Sequence, residues 1–330
     1  MVQSFIEKLS RYYRHWLPTQ SYLVQEPLLN AARIQELALY AQSLHTSLFE
    51  FHRYAAHPLI GETVSFYRGR GFEFEENRAY QAGDESRLIN WRLYARAGEL
   101  YSKVFSEDRR PQVFLLMDRR ATMRFATRGQ LKAALAAEIA ACYIFQAQQQ
   151  ALAVGGLILN QTADWFTPAM AEVSVQNFLQ SLAAACPPLD FEQDQPDLAE
   201  SLQLLNHRLP AGSFVLLISD FADLDPDIDT PLLYQLAAQH TVQAIQILDP
   251  VEQHLPTHGD FLIEDMAAMQ PLHIDGRDGV QQTLYTQAFE QRQSKLCDCF
   301  NSCGIAFRTC TTQDDVKTCL QHSDASTSAN

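Results

Sequence analysis

Two apolar runs constrain this chain more than anything else in it. Val113-Phe114-Leu115-Leu116-Met117 ends at Asp118, and Phe214-Val215-Leu216-Leu217-Ile218-Ser219 ends at Asp220. A strand with one face in water alternates polar and apolar residues, so an unbroken apolar run of this length must be covered on both faces. Around these runs the pattern alternates. An alanine-rich helix is predicted over about 130–151, a strand at about 153–159, and helices at about 173–185 and 197–207. There follow a helix over about 230–239, a strand at 242–248, short strands near 261–263 and 272–274, a long helix over about 279–301, a strand at 305–308 and a closing helix from Gln313. Short apolar strands separated by amphipathic helices predict a doubly wound, mostly parallel α/β sheet. In such sheets ligands gather beyond the carboxyl ends of the strands, where Asp118 and Asp220 both stand.

The chain ahead of residue 112 has another character. Residues 28–52 repeat apolar positions at helical spacing without Gly or Pro, which predicts one or two helices closed by Pro58 and Gly61. Residues 3–17 mix aromatics with cations, as suits an amphipathic helix that packs on its own domain or lies on a membrane surface or a partner. Residues 61–110 carry nine basic and nine acidic residues in short alternating pieces and read as β-rich. The expected organisation is a helical segment over 1–56, a β-rich segment over 57–111, an α/β domain over 112–322 and a disordered tail over 323–330.

Composition narrows the class. With 47% hydrophobic and 19% charged residues the chain is globular. No run of 18 apolar residues occurs, and Lys8, Arg11 and Arg14 interrupt the first 25 residues, so the cytosol is the expected compartment, peripheral to the inner membrane if residues 3–17 touch it. Seven cysteines, an odd number, fit reduced thiols. The net charge of −14 is unevenly spread, since residues 185–330 hold 6 Lys/Arg against 22 Asp/Glu. A nucleic-acid partner is therefore not expected, because neutralising phosphates requires a cationic surface.

The loop after the first run, Met117-Asp118-Arg119-Arg120-Ala121-Thr122-Met123, is the most informative site candidate. An Asp followed two and four residues later by hydroxyls would place hard oxygen ligands around a divalent cation such as Mg²⁺. Here Arg120 holds the middle position. A permanently charged guanidinium either repels a cation there or takes its place by pairing with Asp118. The acids Asp223, Asp225, Asp227 and Asp229 crowd one loop, but Ile228 and Tyr234 stand where a calcium loop needs Gly and Glu, so they read as a solvated rim and helix start. Cys297, Cys299, Cys303 and Cys310 lack the turn-borne pairs of a zinc site and read as structural thiols. Gly69-Arg70-Gly71 lacks the helix that a phosphate loop requires.

One block resembles a known family. Gly69-Arg70-Gly71-Phe72-Glu73-Phe74, Arg78-Ala79-Tyr80-Gln81-Ala82-Gly83-Asp84, Arg87-Leu88-Ile89-Asn90-Trp91, Ala95-Arg96, Lys103-Val104-Phe105 and Glu107 are similar to the hallmark of the bacterial family called domain of unknown function 58. Phe125-Ala126-Thr127-Arg128-Gly129-Gln130-Leu131-Lys132, Val154-Gly155-Gly156-Leu157, Asp249-Pro250 and Gly304-Ile305-Ala306-Phe307 resemble it too, so the likeness covers about residues 57–320. Asn90 and Glu85-Ser86 depart from the family's usual aspartates. Arg78, Tyr80, Gly83, Asp84, Arg87, Trp91 and Arg96 of the block form either an interaction surface or buried ion pairs and stacking contacts, and ordinary packing is the simpler account.

The resemblance implies a von Willebrand factor A-like domain and a non-enzymatic adaptor or chaperone-like role beside a MoxR-type AAA+ ATPase, in the maturation or assembly of a client protein. It also implies a metal site in which Asp118, Thr122 and Asp220 match three ligand positions, with Mg²⁺ as the cation. Arg120 departs from that motif, and Asp194-Gln195-Pro196-Asp197 lacks its middle-loop Thr, so the site reads as degenerate. The alternative is a phosphate- or nucleotide-handling enzyme using the same crevice.

Overall fold

The structure, a computed structural model, describes residues 26–44, 46–49, 73–81, 86–106, 112–188, 195–256, 260–263, 272–275 and 277–321. They belong to two compact units, residues 53–110 and the remainder, 1–52 with 111–330. The N-terminal stretch 3–17, the Gly69–Phe72 start of the block, Gly83 and Asp84 lie outside the described residues, as does the side chain of Arg78. In chain order the elements are α1 (Ala31–Ser43), β1 (Glu73–Ala79), α2 (Trp91–Ala97), β2 (Tyr101–Ser106), β3 (Gln112–Asp118), α3 (Lys132–Gln149), β4 (Ala153–Leu159) and β5 (Ala163–Ala169). Then come α4 (Glu172–Ala183), α5 (Leu198–Arg208), β6 (Phe214–Ser219), α6 (Pro226–Gln239), β7 (Thr241–Leu248), α7 (Pro250–Gln253), β8 (Asp260–Ile263), β9 (Leu272–Asp275), α8 (Gly279–Ser302), β10 (Ala306–Thr311) and α9 (Val316–Gln321).

The larger unit is built on a six-stranded sheet in the order β10-β7-β6-β3-β4-β5. All neighbours are parallel except β4 and β5, which form an antiparallel hairpin at one edge. This is the doubly wound, mostly parallel α/β architecture expected from the apolar runs. Alternate residues of the central strands enter two separate cores, as the two-residue period of a strand requires. Val113, Leu115 and Met117 face the core shared with α3 and α4, whereas Phe114 and Leu116 face the one shared with α5, α6 and α8. Helix α3 is apolar almost all round because it lies between the sheet and α1, so nearly every side takes part in packing. A bidentate pair fixes α1 to it, with Arg33 Nε and Nη2 donating to Glu138 at 2.6 and 3.0 Å.

Strand β5 was not expected from the sequence. Its Pro168 and its polar start hide the period, and Pro is tolerated there because β5 is an edge strand. Gly156 of β4 is required by close approach, since a Cβ would lie 2.2 Å from the Phe178 ring and 2.5 Å from the Leu115 carbonyl oxygen. Helix α6 begins at Pro226 rather than at Thr230, because Asp225 caps it and Pro226 suits its first turn.

Over its described residues the smaller unit adds a helix to the expected strands. Strands β1 and β2 pair antiparallel, and α2 interrupts them. Asn90 caps α2 through Leu93 N–H, and Gly98 ends it at φ +70°, donating its N–H to Tyr94 O at 2.9 Å.

His240, between α6 and β7, is 2% exposed, and neither ring nitrogen has a hydrogen-bond partner among the described residues. Burial pushes its imidazole down to about 4. A histidine whose folded value lies below the ordinary 6.5 leaves stability intact above pH 6.5 and removes it as the pH falls towards 4, by on the order of 3 kcal/mol. Urea unfolding at stepped pH should therefore show a loss in that window, and His240→Leu should flatten it. A limb unchanged in the variant would exclude His240 as its cause.

Candidate functional site

Strand β3 delivers Asp118 to the carboxyl edge of the sheet with its carboxylate fully buried. Four donors meet it. The Arg120 backbone N–H and Nε reach Oδ1 at 2.9 and 3.0 Å, and Arg120 Nη2 and Ser219 Oγ each reach Oδ2 at 2.7 Å. The guanidinium then bridges to a second carboxylate, donating from Nη2 to Asp223 Oδ1 at 2.9 Å and from Nη1 to Asp223 Oδ2. Nη1 also donates to Pro196 O at 3.0 Å. Burial opposes the charge of Arg120, but the Asp118 and Asp223 carboxylates outweigh it and hold the group well above its ordinary value. A planar fork between two carboxylates is the geometry that guanidinium recognises best.

Strand β6 delivers Asp220 beside this cluster, and a second cation meets it. Lys132 opens α3 with no solvent exposure, and its Nζ donates to Asp220 Oδ2 at 2.9 Å and to Glu252 Oε1 at 2.8 Å. Burial penalises both partners, yet Lys132 is raised and Asp220 lowered because each sits against the other's charge. Glu252 is raised by burial. Its other oxygen accepts the Asp249 N–H at 2.6 Å, closing the capping box that starts α7. Asp249 in turn accepts Thr127 N–H at 2.7 Å and Thr312 Oγ1 at 3.0 Å, so the family-like Asp249-Pro250 pair ties three loops together.

Three more arginines secure the surrounding loops through backbone carbonyls. Arg119 Nη1 donates to Ser181 O at 2.6 Å and its Nη2 to Ala185 O at 2.9 Å. Arg124 joins Arg119 O, at 2.9 Å, to Pro187 O. Arg292 of α8 donates to Phe221 O and Ala222 O at 2.8 and 2.9 Å, where Phe221 holds a positive φ of 54°. A non-glycine residue in that region needs outside support, and the Arg292 bonds supply it.

The expected metal residues are thus brought to one edge, but the site does not fit a divalent cation. Asp118 already holds a guanidinium, Asp220 holds an ammonium, and half-buried Thr122 makes no side-chain hydrogen bond to a described residue. Among the described residues, no group of three or more His, Cys, Asp or Glu is arranged to hold an ion. The suspect cysteines pack elsewhere: Cys299 Sγ lies 3.1 Å from Thr230 Oγ1, and Cys310 is buried on β10.

The sequence reading placed Asp118 and Arg120 together correctly but missed Lys132, Glu252, Ser219 and Asp223. A lone Lys at the head of an alanine-rich helix was the one available signal for Lys132. Asp223 read as a solvated rim acid, whereas its side chain is 19% exposed and paired. Ordinary packing is corrected for part of the hallmark block. Trp91 is 59% exposed, Arg87 and Arg96 are exposed, and Tyr80 is half-buried, because Ile89 and Ser102 take the interior positions beneath α2.

The model of the family described as "Protein of unknown function DUF58" matches residues 76–294. Uncharacterized proteins of Mycobacterium bovis and Mycobacterium tuberculosis are 30% identical over 207 residues, which is 63% of this chain and 64% of theirs. The aligned region therefore spans less than two thirds of these curated relatives. Among solved structures, the conserved hypothetical protein BatB from Bacteroides thetaiotaomicron is 11% identical with a TM-score of 0.33, covering 59% of this chain and 98% of that one. An aerotolerance-related membrane protein from Bacteroides fragilis is 10% identical with a TM-score of 0.32, covering 63% and 96%. Likenesses of that size carry no argument about function. Among the described residues, no helix is long and apolar enough to cross a membrane.

Breaking a buried ion pair by removing one partner costs about 3–5 kcal/mol, because the other charge stays buried. Arg120→Ala should destabilise the chain by that order in urea unfolding, and a loss below about 1 kcal/mol would mean the pair is not buried in solution. Millimolar Mg²⁺ should leave the melting temperature of the native chain unchanged, whereas Arg120→Ser should melt lower and gain a Mg²⁺-dependent rise. A clear Mg²⁺ shift in the native chain would show that Arg120 does not stand in for the cation.

Proposed function

Because the chain belongs to the family described as Protein of unknown function DUF58, and because its strand-end carboxylates are held by its own cations, we propose that it is a non-enzymatic adaptor or chaperone-like protein. In this reading it acts with a MoxR-type AAA+ ATPase in the maturation or assembly of a client protein, and the carboxyl edge of the sheet is the surface it offers. The observation that carries the proposal is the double neutralisation of that edge, Asp118 and Asp223 by Arg120 and Asp220 by Lys132. A phosphate- or nucleotide-handling enzyme on the same crevice would need those carboxylates to hold a metal ion or to exchange protons. Committed to buried ion pairs, they instead support a rigid recognition surface.

The acidic balance of residues 185–330 gives that surface a sign. A partner with a basic docking face is favoured electrostatically, and such a contact is screened as salt rises. The direct test is co-purification of the full chain with a MoxR-type AAA+ ATPase from the same cell, with and without nucleotide. Association that weakens with increasing salt is the expected outcome. Repeated absence of association in either nucleotide state would sink the adaptor reading. Nucleotide hydrolysis by the pure chain that disappeared in Asp118→Ala would replace it with the enzyme.

A further inference from the structure

Helix α2 uses none of its seven residues for burial. A helix this short does not persist on its own, so something else must hold it. The hairpin does: Asn90 caps the first turn, its Nδ2 donates to Asn77 Oδ1 at 2.8 Å, and its backbone N–H donates to Tyr101 O at 2.8 Å. The helix is therefore rigidly presented. What it presents is apolar and cationic. Trp91 and Tyr94, stacked edge to face at 6.2 Å, are 59% and 43% exposed, and Leu100 beyond the helix is 38% exposed. Arg87, Arg92 and Arg96 are exposed and make no ion pair or hydrogen bond with a described residue. Glu99, the acid next to the helix, accepts the Tyr101 hydroxyl at 3.1 Å. Trp, Tyr and Arg are the residue types that dominate protein interfaces.

The chain also carries a surface of complementary chemistry. On α6, Ile228 is 71% and Tyr234 63% exposed, with Pro231 exposed between them at helical spacing. Acids flank this face: Asp227, its side chain 73% exposed, together with exposed Asp197 and Glu200 at the start of α5, which packs on α6. Lys295 offsets one of them through its pair with Asp227 at 2.8 Å, leaving the face acidic.

We propose that the α2 face of one copy docks on the α6 face of a second copy, giving a head-to-tail association of this chain. The apolar side chains supply the buried centre, and Arg87, Arg92 and Arg96 meet Asp197, Glu200 and Asp227 at the rim. A polyphosphate would meet the same arginines but leave exposed Trp91, Tyr94 and Leu100 without the apolar partner that Ile228 and Tyr234 supply. The contact is heterologous, using a different patch on each partner, and it does not depend on the ATPase reading above.

A heterologous contact has a signature that no symmetric one shares. Sedimentation velocity of the full chain should show concentration-dependent association in about 50 mM salt that weakens in about 500 mM. Arg92→Glu with Arg96→Glu should sediment as a monomer, and so should Asp227→Lys with Ile228→Ser. Mixed in equal amounts, the two variants should form a dimer and nothing larger, because each keeps the face that the other has lost. Trp91→Ala replaces the double arginine variant if circular dichroism shows that variant unfolded. A native chain that stays monomeric at all concentrations, or a mixture that stays monomeric, overturns the proposal. It is equally overturned if oligothymidylate or phosphatidylserine vesicles bind the native chain and lose that binding in the arginine variant while self-association is unchanged.

Discussion

A guanidinium between one buried and one half-buried carboxylate organises the carboxyl edge of this protein. Asp118 arrives at the end of the central strand with no water to solvate it, and a buried carboxylate without a partner would cost several kcal/mol. Arg120, two residues on, solves that problem and creates another, because one carboxylate leaves half its fork unused. Asp223 from the β6–α6 loop and the Pro196 carbonyl fill the rest. One local pair thereby fixes three segments of chain, and the loops around the crevice inherit their positions from it.

The same device recurs around the edge. Lys132 joins the β6 terminus to α7, Arg119 and Arg124 hold the segment that leaves α4, and Arg292 holds the backbone around Phe221. Each cation satisfies carbonyls or carboxylates that a loop would otherwise leave unpaired. A metal ion bound at such an edge would supply this cross-linking and could leave. Here the cross-links are side chains of the chain itself and are always present. That difference favours a preformed edge over a cation-dependent one.

The two units distribute their apolar residues differently. The larger places its runs in two cores on either side of the sheet, with a largely apolar helix at the centre of one. The smaller, over the residues described, leaves Trp91 of the family block and the neighbouring Tyr94 on its surface.

How much of this was legible beforehand depends on how far apart the interacting residues lie. The apolar runs, the alternation of strand and helix, and the aspartates at the strand ends are properties of neighbouring residues, so periodicity alone determined the doubly wound sheet and the edge at which those aspartates stand. The Asp118–Arg120 pair was readable for the same reason, since its members are two residues apart. Strand β5 escaped because an edge strand tolerates Pro168 and needs no continuous apolar run. Lys132 and Asp220 are 88 residues apart, and Arg120 and Asp223 are 103 apart. Nothing local marks those partners. They meet because β3 lies beside β6 in the sheet, and strand order is settled by the packing of whole elements. The exposure of Trp91 was likewise decided by tertiary structure, because an aromatic residue at a helix start serves equally as a core anchor or a surface contact until the elements beneath it are in place.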